Sequence, residues 1–173
     1  FFQLYVRGDS AWVDDTLKRA LACGYRAIAL TVDRANYGRR ERDLAKGHSP
    51  TARKNAAAEI YQAAFNWSDV DRIRSYVKVP LILKGVATAE DAEMAVARGV
   101  DCIYVSNHGG RQLDHAQGSV AALPEIVAAV KCRAEIIVDG TILRCTDGSK
   151  ALALGANAVG MGRAQGIALG AGG

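Results

Sequence analysis

One pattern occurs three times in the chain and restricts the folds that it can adopt. A helical stretch ends at a glycine, a short apolar run follows, and the run ends in polar residues, as in residues 21–33, 96–108 and 153–163. Glycine suits a helix end because it adopts the left-handed conformation without a Cβ penalty. Continuous apolar runs are typical of parallel strands that are buried on both faces. The pattern therefore predicts repeated helix–strand units.

The stretches between these copies complete the predicted series. Further strands are predicted at residues 1–6, 79–84 and 135–139, which brings the total to six. Helical periodicity is found in residues 15–22, 67–77, 89–98, 120–131 and 147–154, with Ser68 and Thr88 as predicted N-caps. Strands that alternate with helices predict an α/β fold with a parallel sheet.

Polar residues follow all six predicted strands, and this favours a barrel over an open sheet. They are Gln3, Tyr5, Thr31, Asp33, Lys84, Ser106, His108, Asp139, Gly162 and Arg163. An open doubly wound sheet concentrates its chemistry at one switch point, whereas a (β/α)₈ TIM barrel gathers it from many strand ends. We therefore predict one partial TIM-barrel domain over residues 1–173, covering about strands 3 to 8. The long connection at residues 38–66 is predicted to be a lid or surface loop.

Composition excludes several other classes of protein. Half of the 173 residues are hydrophobic, which excludes wholesale disorder, and no apolar run approaches the roughly 18 residues of a membrane helix. The net charge of +4 is spread along the chain without a nucleic-acid-binding stripe, so an anionic small molecule is the more economical partner. Four cysteines without CxxC spacing predict reduced thiols in a cytoplasmic protein. We predict no metal site.

The densest polar cluster is residues 106–114, Ser-Asn-His-Gly-Gly-Arg-Gln-Leu-Asp, directly after a predicted strand. A histidine on such a loop can accept a proton from a substrate, and Arg111 can hold a carboxylate through two hydrogen bonds. The structural alternative is a loop histidine bonded to backbone beside a solvated arginine. Strand-end placement next to an arginine favours the functional interpretation.

Lys84 and the last two strand ends are the other candidates. A charge at the end of an apolar strand is costly without a partner, so Lys84 is predicted to neutralise an anion, stabilise an electron-rich ring or form a Schiff base. Its structural alternative is an ion pair with Asp33 or another strand-end carboxylate. Residues 139–147 and 160–163 follow the last two predicted strands, where barrels usually bind phosphate, and are therefore predicted to bind a phosphate group. The structural alternative is a tight turn and a surface arginine.

At residues 106–114 the chain resembles the FMN-dependent 2-hydroxy acid oxidases and dehydrogenases, the group of glycolate oxidase, lactate oxidase and mandelate dehydrogenase. The motifs of that family follow in order at residues 2–6, 31–33, 38–41, 83–85, 106–114, 138–140, 150–156 and 162–163. The resemblance implies a (β/α)₈ barrel, FMN as cofactor, and oxidation of an L-2-hydroxy acid to a 2-oxo acid. It further implies oxygen or another electron acceptor as partner, and a homo-oligomer, which in this family is a tetramer.

The resemblance also implies roles for individual residues. His108 resembles the catalytic base and Asp33 the carboxylate that supports it. Arg111 and Arg40 resemble the arginines that hold the substrate carboxylate, and Tyr5 a tyrosine that hydrogen-bonds the substrate. The implied cofactor-binding residues are Gln3, Thr31, Lys84 and Ser106 at the flavin ring and ribityl chain, and Asp139, Gly140, Thr141, Gly162 and Arg163 at the ribityl and phosphate end.

The chain departs from the family after the predicted strand at residues 135–139. The family usually has Asp-Gly-Gly-Ile-Arg-Arg-Gly there, whereas this chain has Thr141, Leu143 and Cys145 at the third, fifth and seventh positions. Leu143 replaces an arginine that meets the phosphate in the family. These departures leave open a degenerate or partial barrel that binds an anion without catalysis. A Schiff-base aldolase that uses Lys84 is a further alternative.

Overall fold

The computed structural model describes residues 1–35, 41–47, 56–113 and 115–173. These residues form six strands and eight helices. The strands are β1 (Phe2–Leu4), β2 (Ile28–Thr31), β3 (Leu81–Val86), β4 (Cys102–Val105), β5 (Glu135–Val138) and β6 (Ala158–Val159). The helices are α1 (Ser10–Ala22), α2 (Glu41–Ala45), α3 (Ala56–Ala64), α4 (Trp67–Tyr76), α5 (Ala89–Ala97), α6 (Ser119–Val130), α7 (Cys145–Ala153) and α8 (Arg163–Gly172).

The six strands form one parallel sheet in which each strand pairs with the next one along the chain. The order is β1-β2-β3-β4-β5-β6, and every pairing is parallel. A doubly wound sheet reverses its strand order at a switch point, and no reversal occurs among these strands. The sequential order is that of a (β/α)₈ barrel, so the predicted fold class, with this chain as part of a barrel, is confirmed.

The two faces of the sheet bury different amounts of apolar surface. The larger core lies between the sheet and its helices and includes the fully buried Leu17, Ile73 and Ile103. A smaller cluster, formed by Ala29, Ile82 and Cys102 with Tyr104 and Ile137 packed against it, occupies the opposite face. Burial on both faces explains why these strands have continuous apolar runs, as the sequence predicted.

The helix ends confirm some of the predicted signals and correct others. Gly24, Gly99 and Gly155 all have positive φ values after their helices, as predicted from the repeated pattern. Thr88 caps α5 by accepting a hydrogen bond from the backbone N–H of Asp91, as predicted. The prediction of Ser68 as a cap was wrong, because α4 begins at Trp67 and Ser68 lies within its first turn.

Asn66 caps α4 instead, through a reciprocal capping box with Asp69. The Asn66 side chain accepts from the backbone of the first turn, and the Asp69 carboxylate accepts from the Asn66 backbone N–H at 3.1 Å. Similarly, α1 begins at Ser10 rather than at residue 15, because Asp9 accepts a hydrogen bond from the backbone N–H of Trp12. In α1 the Asp9 cap lies upstream of the apolar periodicity, so the helix is longer than predicted.

Three helices, α2, α3 and α8, were not predicted. The first two lie within residues 38–66, the connection that was predicted to be a lid or surface loop. Residues 41–47 and 56–66 of that connection are described, and the rest lies outside the described residues. The third, α8, begins at Arg163, directly after the last strand end.

Candidate active site

A cavity of about 230 Å³ lies at the carboxyl ends of the strands. The predicted site residues that line it are Gln3, Tyr5, Lys84, His108, Arg111, Asp139, Gly140, Thr141, Gly162 and Arg163. Three more, Thr31, Asp33 and Ser106, are hydrogen-bonded to residues that line the cavity. Arg40 lies outside the described residues. The structure therefore brings together all the predicted site residues that it describes.

The strand register explains how distant parts of the chain meet here. Thr31 at the end of β2 pairs with Lys84 on β3, and Lys84 pairs with Tyr104 on β4. Residues opposite each other in a ladder project to the same face. The Gln3 amide from β1 reaches the same level and donates to the Thr31 hydroxyl at 2.9 Å.

His108 and Asp33 form a close pair between the loops after β4 and β2. The Nδ1 atom of His108 lies 3.1 Å from each carboxylate oxygen of Asp33. Both side chains are largely shielded, with exposed fractions of 19% and 11%. A carboxylate at Nδ1 orients an imidazole and stabilises the imidazolium that forms when Nε2 takes a proton. The pair is therefore arranged for general base chemistry.

The backbone of the loop turns His108 back towards Asp33. His108, Gly109 and Gly110 are consecutive residues with φ values of +57°, +66° and +71°. The His108 N–H donates to the Ser106 hydroxyl at 3.1 Å, and this bond braces the turn. A non-glycine residue held in the left-handed region costs on the order of 1–3 kcal/mol, and such residues cluster at functional sites.

Gly85 allows Asp33 to approach β3. The ladder between β3 and β4 shifts register at this residue, whose φ is +104°. A Cβ at this position would lie 2.5 Å from the Asp33 Cβ and 2.6 Å from its Cγ. Any side chain here would therefore displace Asp33, and with it the support of His108.

Lys84 is buried among polar partners at the end of β3. It is 7% exposed, and its Nζ donates to the Ser106 hydroxyl at 3.2 Å and lies 3.8 Å from Asp139 Oδ2. The Ser106 hydroxyl donates in turn to Asp139 Oδ1 at 2.5 Å. The sequence left open an ion pair with Asp33 or another strand-end carboxylate, and the structure identifies the partner as Asp139. Lys84 nevertheless lines the cavity, so a molecule bound there would lie beside its ammonium group.

Tyr5 and Arg111 lie on the same side of the cavity as His108. The ring centroids of Tyr5 and His108 are 6.2 Å apart, and the Arg34 guanidinium stacks 4.7 Å from the centroid of the Tyr5 ring. Arg111 Nη2 lies 3.8 Å from Oδ2 of Asp43, which belongs to α2. A phenol, an imidazole and a guanidinium therefore surround one part of the cavity.

The other part of the cavity is suited to an anion. Arg163 is the first residue of α8, and Gly162 before it provides no side-chain cap for the helix N–H groups. A Cβ on Gly109 would lie 3.0 Å from Arg163 Nη2, so the guanidinium packs against the His108 loop. Uncapped N–H groups and an arginine at a helix N-terminus are typical of phosphate-binding sites.

Thr141 and Leu143 distinguish this anion-binding part from a glycine-rich loop. Thr141 has a φ of +63°, which is an outlying conformation for a β-branched residue. Its hydroxyl accepts a hydrogen bond from Arg163 Nη2 at 2.6 Å. Leu143 lines the cavity and is 50% exposed. The Arg163 guanidinium therefore has an internal partner, and the Leu143 position offers no charge.

Two buried polar residues near the site were not predicted. Gln62 on α3 accepts from the Val6 N–H at 2.9 Å and donates to the Thr31 carbonyl at 3.0 Å, so it fastens α3 to the ends of β1 and β2. Arg34, which stacks on Tyr5, is only 7% exposed. Arg34 directly follows Asp33 at a predicted strand end, and this position could have indicated a role at the site. No feature of the sequence around Gln62 indicates such a role.

The described part of the chain contains no group of three or more His, Cys, Asp or Glu side chains arranged to hold a metal ion. The four cysteines are free, and burial raises the pKa of Cys102 to about 11, which keeps its thiol neutral. None of the described helices has the length and apolar character needed to cross a membrane.

Comparison with known proteins identifies the family. The family described as FMN-dependent dehydrogenase matches residues 1–173, the whole chain. This chain belongs to that family. The predicted family, its oxidoreductase class and FMN as the family's cofactor are thereby confirmed.

Named relatives agree with this assignment. The chain is 40% identical to the peroxisomal (S)-2-hydroxyacid oxidase GLO3 of Arabidopsis thaliana, over 94% of this chain and 50% of that protein. It is 42% identical to the L-lactate oxidase of a Nostoc species, over 94% of this chain and 51% of that protein. A crystal structure of mandelate oxidase matches all of this chain and 53% of its own, with a TM-score of 0.92 and 40% identity. The chain thus spans about half the length of the relatives it matches.

Proposed function

We propose that the protein oxidises an L-2-hydroxy acid to the corresponding 2-oxo acid, with FMN as the electron acceptor. The observation that carries this proposal is the composition of one cavity. His108, which is paired with Asp33, and Arg111 border the same cavity as Lys84 and Arg163. A base, an anchor for a carboxylate and cations for an anionic cofactor are therefore within one site.

The residues present fit FMN. Lys84 provides a buried cation and Gln3 an amide for a polar ring system, while Arg163 and the start of α8 suit a phosphate. Gly162 has no heavy atom within 4 Å of the position that a Cβ would take, so a ligand can approach its backbone. When bound, FMN would supply a ring that accepts two electrons and one proton from the acid, and the second proton would go to His108.

His108 acts as the base in this proposal. Since Nδ1 is occupied by Asp33, Nε2 is the ring nitrogen that takes a proton from the substrate. Asp33 stabilises the imidazolium that results, and its fixed position against Gly85 keeps the imidazole ring oriented. A positioned acid–base group of this kind typically contributes about 10²–10⁴-fold to a rate.

Arg111 holds the substrate carboxylate, together with Arg40, and Tyr5 donates a hydrogen bond to the substrate. An arginine fork binds both oxygens of a carboxylate and so fixes its orientation relative to His108. Arg111 lines the cavity with its side chain partly exposed, and its contact with Asp43 at 3.8 Å is longer than a hydrogen bond. A substrate carboxylate can therefore compete for the guanidinium.

The final electron acceptor, the oligomeric state and the location of the whole protein remain predictions. They include oxygen or another molecule as the final electron acceptor and a homo-oligomeric state, with a tetramer implied by the resemblance. Cytoplasmic location is also still a prediction, and the names of several relatives describe those proteins as peroxisomal.

A second candidate function, binding of an anion without catalysis, is favoured by Thr141. This residue holds the Arg163 guanidinium in an internal hydrogen bond and adopts a strained backbone conformation. An arginine with an internal partner has less capacity for a phosphate, because the ligand must displace that partner. With weak cofactor binding, the protein would bind anions but would not convert a substrate.

The aldolase alternative is less well supported. Schiff-base formation requires an amine that is free to attack a substrate carbonyl, whereas the Lys84 Nζ lies 3.8 Å from Asp139 Oδ2 in an ion pair. In addition, Lys84 donates to the Ser106 hydroxyl, which in turn donates to Asp139. These contacts favour Lys84 as a fixed cation.

The test of the proposed function uses the purified protein supplied with FMN and the two enantiomers of lactate and of mandelate. We expect 2-oxo acid to form from the L enantiomer of at least one acid and little from the D form. FMN binding without any 2-oxo acid would support the anion-binding candidate instead. A substrate-dependent adduct on Lys84, trapped by borohydride and located by mass spectrometry, would support the aldolase.

Leu143→Arg is expected to strengthen FMN binding by roughly ten- to a hundredfold. Leu143 lines the cavity and is half exposed, so an arginine there can reach an anion without a change in the core. One hydrogen bond to a charged group contributes on the order of 1.5–3 kcal/mol, which corresponds to this range of affinity. The measurement is a fluorescence titration of FMN against the parent and variant proteins.

Riboflavin, which lacks the phosphate, is the control ligand for this titration. Its affinity should be the same in the parent protein and the Leu143→Arg variant. Equal gains for FMN and riboflavin would mean that the substitution acts through general stability, and the phosphate assignment of this loop would then be wrong.

A further inference from the structure

Tyr104 places a phenol in the apolar cluster beneath the site. It lies on β4, pairs in register with Lys84 on β3 and with Ile137 on β5, and packs on the face that Ala29 and Ile82 share. It does not border the cavity itself. Tyr104 is partly buried there, and a tyrosine hydroxyl that is shielded from water is stabilised by a hydrogen-bond partner.

The Asp139 side chain lies next to this hydroxyl. Burial raises the pKa of the Tyr104 hydroxyl above its ordinary value, and the charge of Asp139 and a side-chain hydrogen bond to it raise it further. The hydroxyl is therefore a neutral donor at physiological pH. A Cβ on Gly160 would overlap the Tyr104 oxygen and lie 3.1 Å from the Asp139 Cβ. The hydroxyl thus occupies space beside Asp139 that exists only because residue 160 is glycine.

The ring of Tyr104 contacts the second member of the same ion pair. The Lys84 Nζ lies 5.2 Å from the centroid of the Tyr104 ring, which is within the range of a cation–π interaction. Tyr104 therefore contacts both Lys84 and Asp139. At 3.8 Å, these two groups are too far apart for a direct hydrogen bond.

We propose that Tyr104 is a positioning residue that keeps the Lys84 ammonium available to the flavin. Its hydroxyl takes up hydrogen-bonding capacity of the Asp139 carboxylate, and its ring supports the ammonium, so that Lys84 does not close onto Asp139. Without the hydroxyl, the carboxylate has one donor fewer and draws Lys84 into a closer ion pair, which neutralises the ammonium beside the flavin. This inference rests on the proposed function, because it assigns Lys84 to the flavin.

The test compares the affinity of the bound flavin for sulfite in Tyr104→Phe and in the parent protein. This affinity is an equilibrium property and does not depend on turnover of a substrate. Sulfite adds to oxidised flavin, and a cation beside the ring stabilises the resulting negatively charged adduct. We expect Tyr104→Phe to weaken sulfite binding by about tenfold, as the loss of one hydrogen bond to a charged group implies. The FMN dissociation constant should change less, since the phosphate contacts lie elsewhere.

Tyr76→Phe is the matched control. Tyr76 also donates to a carboxylate, Asp14 Oδ1 at 2.8 Å, but this pair joins α4 to α1, whose apolar residues pack in the core on the helix side of the sheet. Burial raises its pKa as well. The control variant is expected to lose thermal stability while sulfite and FMN binding stay at parent values. A loss of sulfite binding in both variants would indicate a general effect of stability and would overturn the inference.

Gly160→Ala provides a second test of the position of the Tyr104 hydroxyl, and this test does not require flavin. The added methyl group should push the hydroxyl off Asp139, so the variant should lower the melting temperature of the apoprotein. The loss should be clearly smaller when Tyr104→Phe is also present, because the overlapping oxygen is then gone. Equal losses in both backgrounds would contradict the placement of the hydroxyl.

The outcomes separate this inference from the proposed function. If the parent protein binds FMN and oxidises an L-2-hydroxy acid while Tyr104→Phe binds sulfite within about twofold of the parent, the role of Tyr104 is wrong and the function stands. If the parent protein does not bind FMN, the proposed function fails and the role of Tyr104 toward flavin fails with it.

Discussion

His108→Asn should lower the turnover of an L-2-hydroxy acid by about 10²–10⁴-fold, the contribution that a positioned acid–base group makes. Asparagine can still hydrogen-bond to Asp33, but its amide cannot accept a proton in place of Nε2. It also tolerates the left-handed backbone at this position, where φ is +57°, so the loop should keep its conformation. Turnover and the FMN content of the variant are the quantities to measure.

His115→Asn is the matched control for this prediction. His115 is exposed, lies a few residues further along the same connection and also has a positive φ, of +60°. The same substitution there should leave turnover and FMN content unchanged. If His108→Asn retained turnover within about tenfold of the parent protein, His108 would not be the base.

Arg111→Met should raise the KM for the acid by roughly ten- to a hundredfold, because a charge-assisted hydrogen bond of about 1.5–3 kcal/mol is lost. Methionine keeps much of the length and the apolar stem of arginine but cannot bind a carboxylate. Flavin binding should be almost unaffected, because the proposal assigns Arg111 to the substrate carboxylate and Arg163 to the cofactor phosphate. Initial rates over a range of substrate concentrations give KM, and an FMN titration checks the cofactor.

Arg133→Met is a suitable control, because its guanidinium resembles that of Arg111. Each side chain is 43% exposed and lies near one carboxylate, at 3.8 Å for Arg111 and 3.9 Å for Arg133. Arg133 follows α6 and does not line the cavity. Only Arg111→Met should raise the KM. A parallel loss of FMN would instead make Arg111 a cofactor-binding residue.

The positions of the strand ends were predictable because a parallel sheet brings all its carboxyl ends to one edge. That rule alone placed Gln3, Lys84 and His108 near one another from the sequence, and the sheet does so through its sequential strand order. The rule depends only on strand direction and order, which the apolar runs and helix-ending glycines encode locally.

Contacts between side chains of different loops were not predictable in the same way. The partner of Lys84 is one example, since Asp33 and Asp139 both follow strands and the sequence offered no way to choose. The choice depends on the register of β3 and on Ser106, which bridges Lys84 and Asp139. Gln62 is another example, because its role arises only when α3 packs over the ends of β1 and β2.

The consequence of Thr141 also required the structure. Its replacement of a family glycine was evident from the sequence, but the replacement has two effects that composition does not reveal. The residue keeps a left-handed φ of +63°, and its hydroxyl engages Arg163. Both effects bear on phosphate binding, so the strength of FMN binding is the point at which this chain departs most from its family's pattern.

The most direct test of the account is a single turnover of the FMN-loaded protein without oxygen. Mixing with an L-2-hydroxy acid should bleach the absorbance of the oxidised flavin and yield one molecule of 2-oxo acid for each flavin that is reduced. His108→Asn, loaded with the same amount of FMN, should bleach at least about a hundredfold more slowly. Flavin that stays oxidised in the parent protein, with every L-2-hydroxy acid tried, would contradict the assignment of this cavity to 2-hydroxy acid oxidation.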